Sequence, residues 1–173
     1  MSPEFSTPLY TIRTAKEALK FSAAHLATFA DGSIERLHGH NYQVETTLSG
    51  LLDAAGMVLD VGVLKKWTRE ICGELDERVL VALENPLLTV LEEEEQVVLR
   101  YGEKTYSLPR EDCALLPIPN TTMERLAYFI ACRLAERLRG EPEGGRMETL
   151  CVSVSETPGQ SASWTLRLFP ERE

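Results

Sequence analysis

The sequence predicts an α+β domain in which strands at both ends of the chain enclose two helices. Apolar and polar residues alternate in two segments between residues 19 and 50 and in two more after residue 147. Between these segments, apolar residues recur at helical spacing in two longer stretches. A period of two is typical of half-buried strands and a period near 3.6 of amphipathic helices. The predicted element order is therefore ββααββ, with an additional hairpin inserted between the helices.

The first two predicted strands contain every histidine of the chain. They run from about residue 19 to 25 and from about residue 37 to 50, and the polar loop TFADGSIER separates them. His25 ends the first strand, and His38 and His40 lie at the start of the second. Since successive side chains of a strand point to opposite faces, His38 and His40 project together while Gly39 points away.

Two helices are predicted from apolar periodicity and from capping signals. The first follows a predicted short strand, GMVLD, and runs from about residue 61 to 78, with Asp60 as its N-cap. The second lies within NTTMERLAYFIACRLAERLRG. Thr121 and Glu124 have the spacing of a capping box, and Gly140 suits the C-terminal end of this helix.

The remaining segments predict an insertion and a terminal hairpin. Residues 84–118 form the insertion, in which QVVLRYGEKTYSL is predicted to be a hairpin that turns at Gly102. The acidic run 92–95 is predicted to be solvated. The terminal hairpin turns at Pro158-Gly159, between two alternating segments. No repeat or linker interrupts the chain, so residues 1–173 are predicted to form a single domain.

The composition is that of an acidic globular protein. Its net charge is −9, with 43% hydrophobic and 26% charged residues. Nucleic acids and anionic membranes need a basic surface, so neither is an expected partner. No apolar run has membrane-spanning length and the N-terminus does not resemble a signal peptide, so a cytoplasmic location is expected. The scattered cysteines are expected to be reduced and buried; they are Cys72, Cys113, Cys132 and Cys151.

The three histidines predict a metal site. Two imidazoles on one strand and a third on the neighbouring strand can occupy three corners of a tetrahedron. Three neutral imidazoles with an open fourth position are typical of catalytic zinc, although this spacing does not exclude copper or iron. The alternative is that these histidines are neighbours by chance. The concentration of all three in one two-strand unit favours the metal.

Six segments, taken in order, resemble the 6-pyruvoyltetrahydropterin synthase and 6-carboxytetrahydropterin synthase family: FSAAH, LHGHNY, GMVLDVGVLKK, LDERVL, NTTMERLA and SVSET. The histidine segments resemble the zinc signature of that family. The resemblance implies the tunnelling fold, a four-stranded antiparallel sheet with two helices on one face. It also implies homo-oligomers, in which trimers form through the sheets and pair into hexamers.

The resemblance further implies the ligands and the substrate contacts. His25, His38 and His40 would hold Zn²⁺. Glu156, followed by Thr157, would grip the ring of a pterin substrate at the far end from the metal. A carboxylate suits this role because it can accept two hydrogen bonds at once, from the 2-amino group and from N3–H of the ring.

The chain differs from the best-known members of the family at the catalytic positions. Ile34 stands in the place of the catalytic cysteine, and Asp76-Glu77 stands where those members have an Asp-His pair. Glu35 resembles a branch of the family in which a glutamate replaces the cysteine. That branch converts dihydroneopterin triphosphate to 6-hydroxymethyl-dihydropterin. The predicted catalytic residues are therefore Glu35, Asp76 and Glu77, with Glu35 as general base.

The sequence favours a zinc-dependent pterin lyase or synthase that acts on a dihydroneopterin-type substrate. The missing cysteine and histidine also fit a homologue that binds zinc and a pterin or purine without catalysis. Standard 6-pyruvoyl or 6-carboxytetrahydropterin synthase activity is a further alternative. A three-histidine zinc hydrolase unrelated to pterins would explain the metal ligands but neither SVSET nor NTTMERLA.

Overall fold

The computed structural model describes residues 9–142, 144–157 and 159–169. Within these ranges, no helix has the length and apolar character needed to cross a membrane. The helices are α1, Val61–Leu75, and α2, Met123–Arg139. The strands are β1 Tyr10–Thr14, β2 Lys20–His25, β3 His38–Gly50, β4 Arg78–Ala82, β5 Thr89–Glu92, β6 Gln96–Tyr101, β7 Lys104–Pro109, β8 Cys113–Leu116, β9 Met147–Thr157 and β10 Gln160–Arg167.

The main sheet is larger than the four-stranded sheet that the sequence predicts. Its strands lie in the order β10-β9-β3-β2-β4-β8, and β1 also pairs with β3, which gives seven strands within the described ranges. The expected strands β2, β3, β9 and β10 are present and pair antiparallel. The prediction is wrong about the extent of the sheet, because β4 and β8 add to it in parallel. The sequence of β4, RVLVA, does not alternate, since its last three residues are all buried.

Helix α1 begins as predicted and ends three residues early. The Asp60 side chain caps its N-terminus by accepting a hydrogen bond from the Gly62 amide at 2.7 Å. At the other end, Asp76 leaves helical geometry, and Glu77 turns the chain into β4 with a positive φ of 57°. The predicted strand GMVLD is a loop instead, because the Asp53 carboxylate accepts hydrogen bonds from the backbone and curls this segment.

Helix α2 begins one residue later than the predicted capping box implies. Its N-cap is Thr122, whose side chain makes no capping hydrogen bond, and Gly140 lies at its C-terminal end as expected. Thr121 is excluded from capping because its hydroxyl donates to the Leu26 carbonyl at 3.0 Å. The prediction of a capping box at Thr121 is therefore wrong, and this threonine links α2 to the end of β2.

The insertion forms a second, three-stranded sheet in the order β5-β6-β7. The predicted hairpin is present as β6 and β7, and Gly102 occupies its turn with φ +55°. β5 completes this inserted sheet, and the acidic run 92–95 is exposed, as predicted. The chain then returns through β8 to the edge of the main sheet.

Two apolar clusters hold the domain together. The larger cluster lies between the main sheet and the helices, where α1 packs on β1 and β2 and α2 packs on β9 and β10. The smaller cluster, called here the insertion cluster, joins the inserted sheet to residues 26–37; its buried members are Leu26, Val81, Val97, Leu99 and Cys113. Burying a Leu or Val side chain stabilises a fold by about 1.5–3 kcal/mol, so the insertion is an integral part of the domain.

The terminal hairpin and the cysteines agree largely with expectation. β9 and β10 are joined by a turn in which Gly159 has φ +90°, and Pro158 lies outside the described residues. All four cysteines are free. Cys72 and Cys113 are buried, whereas Cys132 and Cys151 are partly exposed, so the expectation of burial holds for the first two alone.

Candidate metal centre

The antiparallel pairing of β2 and β3 brings the three histidines together. His25 lies directly opposite His38, and His40 lies on the same face two residues further along β3. One ring nitrogen from each histidine falls within 4.8 Å of the other two. A cluster of three ring nitrogens of this size could hold a metal ion, and zinc is one metal that imidazole nitrogens bind. The predicted convergence of the three residues is confirmed.

His25 has one ring nitrogen in a hydrogen bond. Its Nδ1 lies 2.9 Å from the backbone oxygen of Thr121, while its buried Nε2 has no hydrogen-bond partner among the described residues. Burial, followed by the nearby His38, lowers the pKa of His25, so the ring is neutral at pH 7 and its Nε2 is a lone-pair donor. Leaving such a buried atom unsatisfied costs about 1–3 kcal/mol. A metal ion at this position would satisfy it, so this histidine fits the predicted ligand set.

The other two histidines each bring one ring nitrogen to the centre. His38 Nδ1 donates to the backbone oxygen of Arg36 at 2.7 Å, which leaves Nε2 as the ligand atom. A backbone acceptor on Nδ1 fixes both the tautomer and the ring orientation of a metal-binding histidine. The arrangement is therefore typical of a histidine metal site and not of chance neighbours.

Two carboxylates flank the cluster on different sides. Glu35 Oε2 lies 3.9 Å from His38 Nε2, and Glu156 Oε2 lies 3.9 Å from His40 Nε2. The Glu156 side chain is only 17% exposed. The expectation that Glu156 sits at the far end of the substrate from the metal is wrong, because β9 pairs with β3 and brings this carboxylate beside His40. Thr157 instead donates to Gln160 at 3.1 Å in the hairpin turn and is exposed.

Asp76 and Glu77 follow α1 and are hydrogen-bonded to β2 at Ser22. Asp76 accepts a hydrogen bond from the Ser22 amide at 2.6 Å, and the Glu77 amide donates to the Ser22 carbonyl at 2.7 Å. Glu77 lines an open cleft of about 540 Å³ together with Ala24, Gly39 and His40. The structure thus brings Glu35 and Glu156 to within 3.9 Å of a histidine nitrogen and places Glu77 on the same cleft as His40.

Tyr42 is a functional candidate that the sequence reasoning missed. It is fully buried, its ring centroid lies 5.7 Å from that of His40, and within the described ranges its hydroxyl makes no hydrogen bond of normal geometry. Burial, and then the charge of Glu156, raise the pKa of Tyr42 far above its usual value, so the hydroxyl stays protonated. The signal was present in the sequence, because alternation places Tyr42 next to His40 on the face that carries the ligands.

Thr121 is the second residue whose role was missed. Both its backbone oxygen and its hydroxyl lie near His25 Nδ1, at 2.9 and 3.2 Å. It thereby orients the most buried ligand from a segment 96 positions away in the chain. The sequence predicts Thr121 as a helix cap. No local pattern distinguishes a hydroxyl group that caps a helix from one that orients a histidine ring.

Comparisons with known proteins agree with the fold and with the family that the sequence resembles. The family model for 6-pyruvoyl tetrahydropterin synthase matches residues 14–166. A putative 6-carboxy-5,6,7,8-tetrahydropterin synthase of Methanocaldococcus jannaschii is 35% identical over 149 residues, which cover 84% of this chain and 89% of that protein.

Solved structures resemble the whole domain. The 6-pyruvoyl tetrahydropterin synthase of Plasmodium vivax matches with a TM-score of 0.86 and 27% identity, covering 93% of this chain and 99% of that one. A variant of the Plasmodium vivax protein, described as a catalytic-residue mutant that replaces a glutamate with cysteine, matches equally well. The extent of the family match and the identity to the archaeal relative show that the chain belongs to the 6-pyruvoyl tetrahydropterin synthase family.

Proposed function

We propose that the protein is a zinc-dependent lyase that cleaves the side chain of a dihydroneopterin triphosphate-type substrate and releases 6-hydroxymethyl-dihydropterin. The observation that carries this proposal is the position of Glu35, whose carboxylate lies 3.9 Å from the ligand atom of His38. The description of a catalytic glutamate in the Plasmodium vivax protein supports it. Ile34, at the place of the usual cysteine, cannot transfer a proton, so the carboxylate takes over that task.

His25, His38 and His40 would hold the Zn²⁺ ion through their Nε2 atoms. Three protein ligands leave a fourth position open, as in other catalytic zinc sites. When bound, the ion would polarise the side-chain oxygens of the substrate and stabilise the negative charge that develops on them.

Glu35 acts in this proposal as the general base. Its carboxylate takes the proton of the 2′-hydroxyl, the C2′–O bond becomes a carbonyl, and the C1′–C2′ bond breaks. The electron pair of that bond stays on C1′, where conjugation with the pterin ring stabilises it, and C1′ then takes up a proton. The products are 6-hydroxymethyl-dihydropterin and a phosphorylated glycolaldehyde. A positioned general base of this kind contributes about 10²–10⁴-fold to a rate.

Glu156 binds the substrate in this proposal. Its carboxylate is largely shielded from solvent and lies beside His40. It would therefore accept hydrogen bonds from N–H or O–H groups in the part of the pterin nearest the metal. Thr157 follows it in the hairpin turn, where it is exposed and donates to Gln160, and we assign it no contact with the substrate. We assign Asp76 and Glu77 no step of the reaction.

A second candidate function is 6-carboxytetrahydropterin synthase activity, which the name of the archaeal relative favours. Product analysis separates the two functions. Zinc-loaded protein is incubated anaerobically with dihydroneopterin triphosphate, and the pterins are resolved by chromatography. We expect 6-hydroxymethyl-dihydropterin. A 6-carboxy or 6-pyruvoyl product without it would overturn the proposal, and tight pterin binding without turnover would indicate a homologue that has lost catalysis.

A further inference from the structure

We propose that Tyr101, at the end of β6 in the inserted sheet, is a positioning residue that holds Glu35 at the metal centre. The Glu35 loop is defined as residues 26–37, between β2 and β3. The inference rests on the proposed role of Glu35 as general base. It assigns a function to the insertion, which lies outside the histidine cluster and contributes no ligand to it.

The Glu35 loop is a small, internally bonded hairpin. The Phe29 amide donates to the Ser33 carbonyl at 2.9 Å, and the Glu35 amide donates to the Ala27 carbonyl at 2.9 Å. Thr28 and Ile34 form an isolated bridge between these two bonds. Because consecutive rungs connect the tip to Glu35, a displacement of the tip is transmitted to the backbone of Glu35.

Tyr101 fixes the tip of this hairpin. Its hydroxyl donates to the backbone carbonyl of Gly32, which turns the loop with φ +85°. Tyr101 is half-buried, and 69 positions separate it from Gly32 in the sequence. The hydrogen bond therefore ties the inserted sheet directly to the loop that carries the proposed base.

The insertion cluster fixes the stem of the hairpin. Ile34 and Leu37 pack against this cluster, whose buried members include Val97 and Leu99 of β6. Side chains of an extended segment alternate in direction, so anchoring Ile34 in the cluster turns Glu35 the other way, towards His38. Ile34, at the usual cysteine position, thus helps to fix the orientation of Glu35.

The opposite side of the loop is held independently of the inserted sheet. The Thr28 amide donates to Asn120 Oδ1 at 3.1 Å, and Asn120 Nδ2 donates back to the Thr28 carbonyl at 2.8 Å. Removing the Tyr101 hydroxyl leaves both of these bonds and the apolar contacts in place. The expected result is a looser tip in a protein that remains folded.

The test compares Tyr101→Phe with Tyr106→Phe. Tyr106 packs against the same insertion cluster from β7, so the matched control loses a hydroxyl from the same sheet without losing the bond to Gly32. Loss of one hydrogen bond is expected to lower kcat of Tyr101→Phe about 3–10-fold, with KM and zinc content unchanged. The control should keep the wild-type kcat.

Hydrogen exchange supplies a readout that does not depend on activity. In Tyr101→Phe, exchange of the Gly32 and Glu35 amides should accelerate, while the amides of β6 and β7 keep their protection. Wild-type exchange and kcat in Tyr101→Phe would overturn the inference, as would a uniform loss of protection across the domain. If Glu35→Gln keeps full activity, the proposed base fails instead, and exchange at Glu35 still decides whether Tyr101 holds the loop.

Discussion

At the scale of single residues, the metal centre depends on how each imidazole is held. His25 is buried against Thr121, His38 is bonded to the backbone of Arg36, and His40 lies next to Glu156. The first two contacts occupy Nδ1 and leave Nε2 as the ligand atom, while the third places a carboxylate beside the His40 ring. The position of each imidazole ring is therefore set by a neighbouring residue, and these three neighbours come from different parts of the chain.

Replacing His40 with alanine should remove most of the bound metal. The substitution removes one of three protein ligands, and two imidazoles bind the ion much more weakly than three. Metal analysis after dialysis measures the zinc content per chain. Asn41→Ala is the matched control, since Asn41 is adjacent but bonds to Ser22 on the other face. Unchanged zinc content in His40→Ala would contradict the ligand assignment.

Acid should destabilise the metal-free protein through His25. Its pKa in the folded state lies below the unfolded value of about 6.5, so the unfolded chain binds the proton more tightly. The stability contributed by neutral His25 is present above pH 6.5 and is lost as the pH falls through the lowered pKa. Urea unfolding of chelator-treated protein between pH 7.5 and 5 measures this loss. The free energy of unfolding of His25→Gln should depend less steeply on pH than that of the wild type. An identical slope in the two proteins would show that His25 does not cause the acid sensitivity.

Glu156→Gln should weaken pterin binding by about one to two orders of magnitude. The substitution replaces one acceptor oxygen with a donor that faces an N–H or O–H of the substrate, and a charge-assisted hydrogen bond is worth roughly 1.5–3 kcal/mol. Calorimetric titration with neopterin measures the affinity. Because Glu156 lies beside His40, zinc content is measured in the same samples. Unaltered affinity in the zinc-loaded variant would show that the pterin is held elsewhere.

At the scale of elements, the inserted sheet has its own apolar contacts with the rest of the domain. Leu99 of β6 is 1% exposed in the insertion cluster, whereas Leu91 of β5 is 38% exposed in the same sheet. Leu99→Ala should lower the free energy of unfolding by about 2–5 kcal/mol, because it leaves a cavity. Leu91→Ala is the control and should change it by less than about 1 kcal/mol. Equal effects in urea unfolding would show that the cluster does not stabilise the domain.

Elements with a clean periodicity could be predicted from the sequence, and the others could not. β2, β3, β9, β10 and both helices alternate or repeat, because each has one buried and one solvated face. β4 lacks this signal since it is enclosed by β2 and β8, and the predicted first helix extends into its first residue, Arg78. The bond that ends α1, from the Ser22 amide to Asp76, joins residues 54 positions apart. A contact of that kind leaves no local pattern.

The candidate site shows the same division. The spacing of His38 and His40 predicted their convergence because it depends on strand geometry alone. The approach of Glu156 to His40 depends on the register between β9 and β3, which brings Ser155 opposite Gln43. No local sequence pattern specifies that register, so the distance between the Glu156 carboxylate and His40 could not be predicted.

At the scale of the whole molecule, the main sheet has edges without a partner strand among the described residues, at β10, at β8 and at β1, which pairs only with β3. Trp164 of β10 is 41% exposed near one of them. Unpaired edges favour association, and pairing between subunits would close the sheet. We therefore expect a homo-oligomer, a trimer or a hexamer, in sedimentation experiments at micromolar concentration. A monomer would contradict this expectation.

The central claim is that a carboxylate replaces the usual cysteine as the base of this metal centre. The most direct measurement is the rate of 6-hydroxymethyl-dihydropterin formation by zinc-loaded wild-type protein and by Glu35→Gln. Glutamine keeps the size of the side chain and removes the base, so the rate should fall at least about 100-fold with zinc and pterin binding retained. A rate within about threefold of wild type in the zinc-loaded variant would contradict the account.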